Sequence, residues 1–237
     1  MHADAYLAGA LPRGRGRLAR PGAVAPLSLA AVCALAMVVL WALAEHVYAL
    51  QVRDTALLRD FMTLNGPHVG TVCRVLLDLL EPALFTIWGL ALVLFAIARE
   101  RARMALAVVA VMAIAPLSAE LLKPLLAHPH VTLGLANIGA ASWPSGHATA
   151  ATALALSAVL VAPVRLRPAA LIGALAFMLA VGAALLIRRW HLPSDVLGGY
   201  LLGVLWVSVA LAAVRASERR WPPRVRAEAG TAPATDA

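Results

Sequence analysis

Apolar residues in this chain come in long, nearly unbroken runs, not at the 3.6-residue or 2-residue period of a helix or strand half-buried in water. Six runs stand out, at about 24–44, 82–98, 104–122, 144–164, 169–187 and 194–214. Each is close to the roughly 20 residues that an α-helix needs to cross a hydrocarbon core of about 30 Å. The pattern predicts an all-α, polytopic membrane bundle of about six transmembrane helices within residues 24–215. An Arg-rich amino terminus (1–23) precedes it, and a charged, Pro-containing tail (216–237), expected to be disordered, follows it. Residues 51–80 differ: Arg53, Asp54, Arg59, Asp60, Arg74 and Asp78 are scattered among apolar positions. That mixture predicts an amphipathic segment lying on the outer face of the bilayer.

Composition supports this reading. Of 237 residues, 62% are hydrophobic and 14% charged, and the mean hydropathy is +0.83. Soluble domains are nearer half apolar and a quarter charged. Two cysteines, Cys33 and Cys73, both in apolar surroundings, offer neither a disulfide framework nor a Cys-type zinc site. The net charge of +8 would suit a nucleic-acid partner, but its distribution argues against one. All the basic residues except Lys123 are Arg, most of them in short clusters at the ends of the apolar runs, as membrane orientation requires.

Fourteen arginines lie at the amino terminus, at 99–103, at 165–167 and from Arg215 to Arg226, on one side of a six-span layout. Six cations, Arg53, Arg59, Arg74, Lys123, Arg188 and Arg189, lie on the other. The excess places both termini in the cytoplasm and the loops after the first, third and fifth spans outside, in a cell (plasma) membrane. A basic start, an apolar run and Ala42-Leu43-Ala44 also resemble a secretory leader, but the run is longer than such a segment's usual apolar core.

Ionisable groups at membrane depth are expensive, and here they converge on the outer side. Lys123 closes the third span, and His128 and His130 follow. Ser142-Trp143-Pro144-Ser145-Gly146-His147 opens the fourth, Arg188, Arg189 and His191 close the fifth, and Pro193-Ser194-Asp195 opens the sixth. Pro144 suits a first helical position. Ser145 and Gly146 would then present free N–H groups at a positive helix end, a ready phosphate site, with His147 beside it to give or take a proton. Ser194 suits a cap for the sixth helix. The turn between His191 and Asp195 can fold the carboxylate onto one imidazole nitrogen, leaving the other as nucleophile or base. Each half also has a plainer reading, a capped helix end with an interfacial histidine.

Taken in order, these residues resemble the type 2 phosphatidic acid phosphatase (PAP2) superfamily of lipid phosphate phosphatases. Its motifs are Lys-x6-Arg-Pro, Pro-Ser-Gly-His and Ser-Arg-x5-His-x3-Asp. Residues 144–147 match the second in full, and His191-x3-Asp195 matches the end of the third. The resemblance covers about 104–205. It implies that His191 attacks phosphorus to form a phosphohistidine, that Asp195 orients it, and that His147 protonates the leaving group and then activates water. Lys123, Ser145 and Gly146 would hold the phosphate oxygens, with no metal or other cofactor.

The chain departs from the family at two places. In the first motif the Arg-Pro position reads His130-Val131, or His128-Pro129 at shorter spacing, so a permanent cation has become a titratable one and activity should favour acidic pH. In the third motif the Ser-Arg position reads Ala184-Leu185. Arg188 lies three residues on, about 60° around the helix from the expected face, within reach of a long guanidinium side chain. Arg189 points elsewhere and reads as an interfacial anchor. Glu120, one turn before Lys123, reads as its i, i+3 partner, and Gly198-Gly199 as a site of close helix packing.

The sequence thus predicts a phosphatase acting on a phosphomonoester or pyrophosphate of a lipid: a polyprenyl pyrophosphate, phosphatidic acid or phosphatidylglycerol phosphate. The alternative is a non-catalytic lipid-phosphate binder of the same fold. A transporter fits less well, because the ionisable groups lie at span ends and not at mid-membrane. Oligomeric state is left open.

Overall fold

The computed structural model describes residues 22–127 and 138–222. His128 and His130, the first 21 residues and the tail from 223 lie outside this range, and so do the expectations placed on them. Among the described residues every regular element is helical: α1 (Val24–His46), α2 (Tyr48–Met62), α3 (Pro67–Asp78), α4 (Pro82–Ala98), α5 (Ala102–Leu125), α6 (Gly146–Val161), α7 (Arg167–Ile187) and α8 (Pro193–Arg220). The six apolar runs are α1 and α4 to α8. By length and composition α1, α5, α7 (with the 3-10 turn before it) and α8 can each cross a membrane, and α3 with α4 makes a further pair bent by 57°. α6 has only 16 residues, about 24 Å at 1.5 Å per residue.

Composition explains the arrangement. α6 is rich in Ala, Thr, Ser and Gly, especially in its first half, and from Ala148 to Ala153 every residue is buried. A helix apolar all round and buried all round belongs at the centre, and α4, α5, α7 and α8 surround it. Small residues allow close approach. On α8, a Cβ at Gly199 would lie 2.5 Å from the Ser145 carbonyl oxygen, and one at Gly203 would lie 2.5 Å from Thr152 Cβ. The backbones of α6 and α8 therefore meet directly, as the Gly198-Gly199 pair predicts. Large apolar side chains such as Leu35, Leu106, Ile172 and Leu179 point outward, where acyl chains cover them in a membrane.

The 51–80 segment forms two helices that pack on α7. Leu58, Cys73 and Leu77 join Val181, Leu185 and Val196 in one buried cluster, so the segment is part of the bundle's packing as well as a surface element. At the other end of the bundle α8 runs to Arg220, through the basic residues assigned above to the tail. Arg is a good helix former and is favoured near a helix C-terminus. Arg101 there donates to the carbonyls of Leu160 and Val161, each at 3.2 Å, closing the end of α6.

Candidate active site

Four helix ends meet at one end of the bundle, the C-termini of α5 and α7 and the N-termini of α6 and α8. Two devices bring them together. α7 ends in a Schellman turn: Arg189 has φ 59°, its N–H donates to the Leu186 carbonyl, and the Trp190 N–H donates to the Leu185 carbonyl. The chain reverses sharply and delivers His191 to the start of α8. The second device is a hydrogen bond of 3.0 Å from Ser145 N–H to the Asp195 carbonyl, which ties the first turns of α6 and α8.

His191 and Asp195 are both buried. His191 Nδ1 lies 3.3 Å from Asp195 Oδ2, and the same oxygen accepts the Leu192 N–H at 3.0 Å. Asp195 Oδ1 is buried and has no hydrogen-bond partner among the described residues. With Nδ1 directed at the carboxylate, Nε2 is left for chemistry.

At α6 the geometry refines the sequence reading. Pro144 precedes the helix, after a cis Trp143–Pro144 bond, and Ser145 is the N-cap. Ser145 is fully buried, and its hydroxyl accepts the Ala148 N–H at 3.3 Å. Its N–H is thus committed to Asp195 and is not free for phosphate as expected, while its hydroxyl accepts and keeps its own O–H. The Gly146 and His147 N–H groups remain at the positive end of the helix. The Glu120 carboxylate already occupies this end: Oε1 lies 2.7 Å from the place a Cβ on Gly146 would take. Lys123 Nζ donates to the same Oε1 at 2.6 Å, the i, i+3 pairing expected, and lies 3.7 Å from that Cβ position. The α6 N-terminus and Lys123, with the Glu120 carboxylate beside them, are thus the parts of a candidate anion cradle.

His147 is half-buried, its ring edge-on to Trp190 at 5.5 Å between centroids. It lines a cavity of about 480 Å³ between α4, α5 and α6, with Glu81, Glu120 and Gly146, and with Phe85, Met112 and Pro116 deeper in. Phe85, Thr86 and Met112 also line an adjoining hollow of about 330 Å³ that reaches Val93 and Val109. From Glu81 to Val93 along α4 is about 18 Å, comparable to one leaflet of hydrocarbon. A further hollow of about 490 Å³, between α1, α5 and α8, is lined by Trp41, Trp143 and Trp206 and by no acid or base.

Ala184 and Leu185, at the family's third-motif Ser-Arg position, are buried in the core and carry no charge. Arg188 turns toward α3, with Nη1 3.7 Å from a Cβ position on Gly70 and Nε buried without a partner among the described residues. Arg189 is exposed. Ser194 does not cap α8 as expected. The N-cap is Leu192, and Ser194 pairs instead with Asp54. Among the described residues no group of three or more His, Cys, Asp or Glu side chains is placed to hold a metal ion. Sequence reasoning missed Trp190, Asp54 and the groove; only an exposed Trp beside a motif histidine was a usable signal.

No curated protein matches the chain. Among solved structures, a transmembrane PAP2-type phosphatidylglycerolphosphate phosphatase from Bacillus subtilis is similar in fold. Its TM-score is 0.63 at 22% identity, covering 84% of this chain and 98% of that one. The sequence model of the PAP2 superfamily matches residues 104–219. That stretch, similar to the PAP2 superfamily, carries Lys123, the Pro-Ser-Gly-His turn and the His191–Asp195 pair.

Proposed function

We propose that this protein is a membrane phosphatase that hydrolyses a phosphomonoester or pyrophosphate of a lipid through a phosphohistidine on His191. The observation that carries the reading is the buried His191–Asp195 pair at the same bundle end as the anion cradle of Gly146 and Lys123. His191 Nε2 attacks phosphorus, and the bond from phosphorus to the leaving oxygen breaks. The electron pair leaves with that oxygen, which takes a proton from His147. Water then attacks the phosphohistidine and gives its proton to His147. The P–N bond breaks, releasing phosphate and restoring the imidazole. Lys123 and the α6 N-terminus stabilise charge on the phosphate oxygens, and Arg188 is a candidate for the missing clamp.

The groove from His147 toward Val93 supports a substrate whose tail stays in the bilayer while its headgroup reaches the site. Polyprenyl pyrophosphate, phosphatidic acid and phosphatidylglycerol phosphate all meet that description. The distribution of arginines supports an orientation with both termini in the cytoplasm and the site on the outer face. Phosphate release from these three lipids by the detergent-purified protein, with EDTA present, tests the reading. Release that persists in EDTA and disappears in His191→Ala is expected. No release between pH 5 and 8 from folded protein would favour a non-catalytic lipid-phosphate binder.

A further inference from the structure

α8 has a defect at the end where it matters most. Its N-cap, Leu192, has no side-chain hydrogen-bond acceptor, and Pro193 at the first helical position has no N–H. An N-cap normally supplies an oxygen to the N–H of the second or third residue. Here that oxygen comes from another helix. Asp54 on α2 accepts the Ser194 N–H on Oδ1 at 3.1 Å and the Ser194 hydroxyl on Oδ2 at 2.5 Å. Its negative charge thereby sits at the positive end of α8, where it is stabilising.

The residue so held is adjacent to Asp195, whose carboxylate aims His191. Asp54 is itself held firmly. Its neighbour Thr55 is fully buried, and Leu58, one turn on, is buried in the cluster with Val181 and Leu185 of α7. α2 thus spans from the helix that ends before His191 to the helix that begins after it. Residue 54 also lies outside the stretch that matches the family model.

We infer that Asp54 is a positioning residue for the reaction: by capping α8 from α2 it fixes the first turn that sets Asp195 against His191. The inference rests on the reading of His191 as nucleophile. Asp54→Ala removes both hydrogen bonds and lets the first turn of α8 shift. Misplacement of a reacting group by about 1 Å costs on the order of 100-fold in rate. The expected outcome is a fall in kcat of roughly tenfold to 100-fold with KM within about threefold, because Asp54 holds the first turn of α8 and the candidate cradle is built on α5 and α6. Asp54→Asn keeps one acceptor for the Ser194 N–H and should recover much of the loss. Ser194→Ala removes one bond of the two and should cost less. The double variant Asp54→Ala/Ser194→Ala should be no slower than Asp54→Ala alone, since both act through one contact.

The experiment measures kcat and KM on the full-length protein in detergent, per mole of folded, monodisperse protein, beside wild type and His191→Ala. If Asp54→Ala lowers only thermal stability and leaves kcat unchanged, Asp54 is structural and the inference is overturned. Equal losses in the Asn and Ala variants would overturn it too. Should Asp54→Ala fail to fold, Asp54→Asn and Ser194→Ala decide, with unchanged kcat in both counting against it. Full activity in His191→Ala would instead remove the functional reading on which the inference stands.

Discussion

Replacing Gly199 by Ala probes how closely activity depends on the contact between α6 and α8. The added Cβ would meet the Ser145 carbonyl oxygen at 2.5 Å, Ala148 Cβ at 2.8 Å and Thr149 N at 3.1 Å. Ordinary contact needs about 3.5 Å, so one helix must move by roughly 0.7–1 Å. The obstacles are backbone atoms and a Cβ, and no side chain can swing aside. Overpacking costs about 1–3 kcal/mol, and exchanging Gly for Ala inside a helix returns close to 1 kcal/mol. The net effect on stability is therefore at most about 2 kcal/mol, and the protein should fold. Activity should suffer more. The moved contact joins Ser145 to Asp195, the link between the His147 and His191 halves, and a shift near 1 Å costs on the order of 100-fold. Gly173→Ala, whose Cβ meets nothing within 4 Å, is the control and should match wild type. The assay is kcat on a lipid phosphate, normalised to folded protein, with thermal midpoints in parallel. Wild-type kcat in folded Gly199→Ala would refute the claim that helix separation sets the reacting geometry.

Three other changes have defined outcomes. Arg189→Gly relieves a side chain held at φ 59°, which should stabilise the protein by about 1 kcal/mol, seen as a thermal midpoint a few degrees higher with kcat unchanged; a lower midpoint would contradict this. Glu120→Gln weakens the endogenous carboxylate's hold on the cradle, so orthophosphate should inhibit several-fold more tightly; weaker inhibition would mean that Glu120 positions Lys123 productively. Gly89→Leu places a side chain toward Met112 in the deeper hollow. It should lower kcat/KM for a long-chain lipid phosphate by about tenfold or more while sparing a short-chain, water-soluble phosphate ester; equal effects on both would show that the tail lies elsewhere.

Much of this molecule is legible in its sequence, for physical reasons. Hydrocarbon demands long apolar helices, so the runs that become α1 and α4 to α8 announce themselves. The Glu120–Lys123 pair follows from helix spacing alone, and Gly198-Gly199 signals close packing because few other constraints favour two adjacent glycines in a helix. Features made by distant partners are not legible. Nothing near Asp54 points to Ser194, 140 residues away, and the charges in 48–78 lower the local hydropathy enough to hide two helices whose partners lie on α7. Pro144 has the right chemistry for a first helical residue, yet Ser145 takes the cap because its N–H is claimed by Asp195 from α8. The groove beside His147 needs three helices at once, and no periodicity along a single strand of sequence encodes it.

The central claim is that His191 carries the phosphoryl group, and trapping that group tests it most directly. The protein is mixed with a lipid phosphate labelled with ³²P, quenched within its first turnovers in alkali, and digested. The account expects a label that survives alkali, is lost in mild acid, and maps to the peptide containing His191. In His191→Ala the label should be absent. Label on any other residue, or full turnover by His191→Ala, would contradict it.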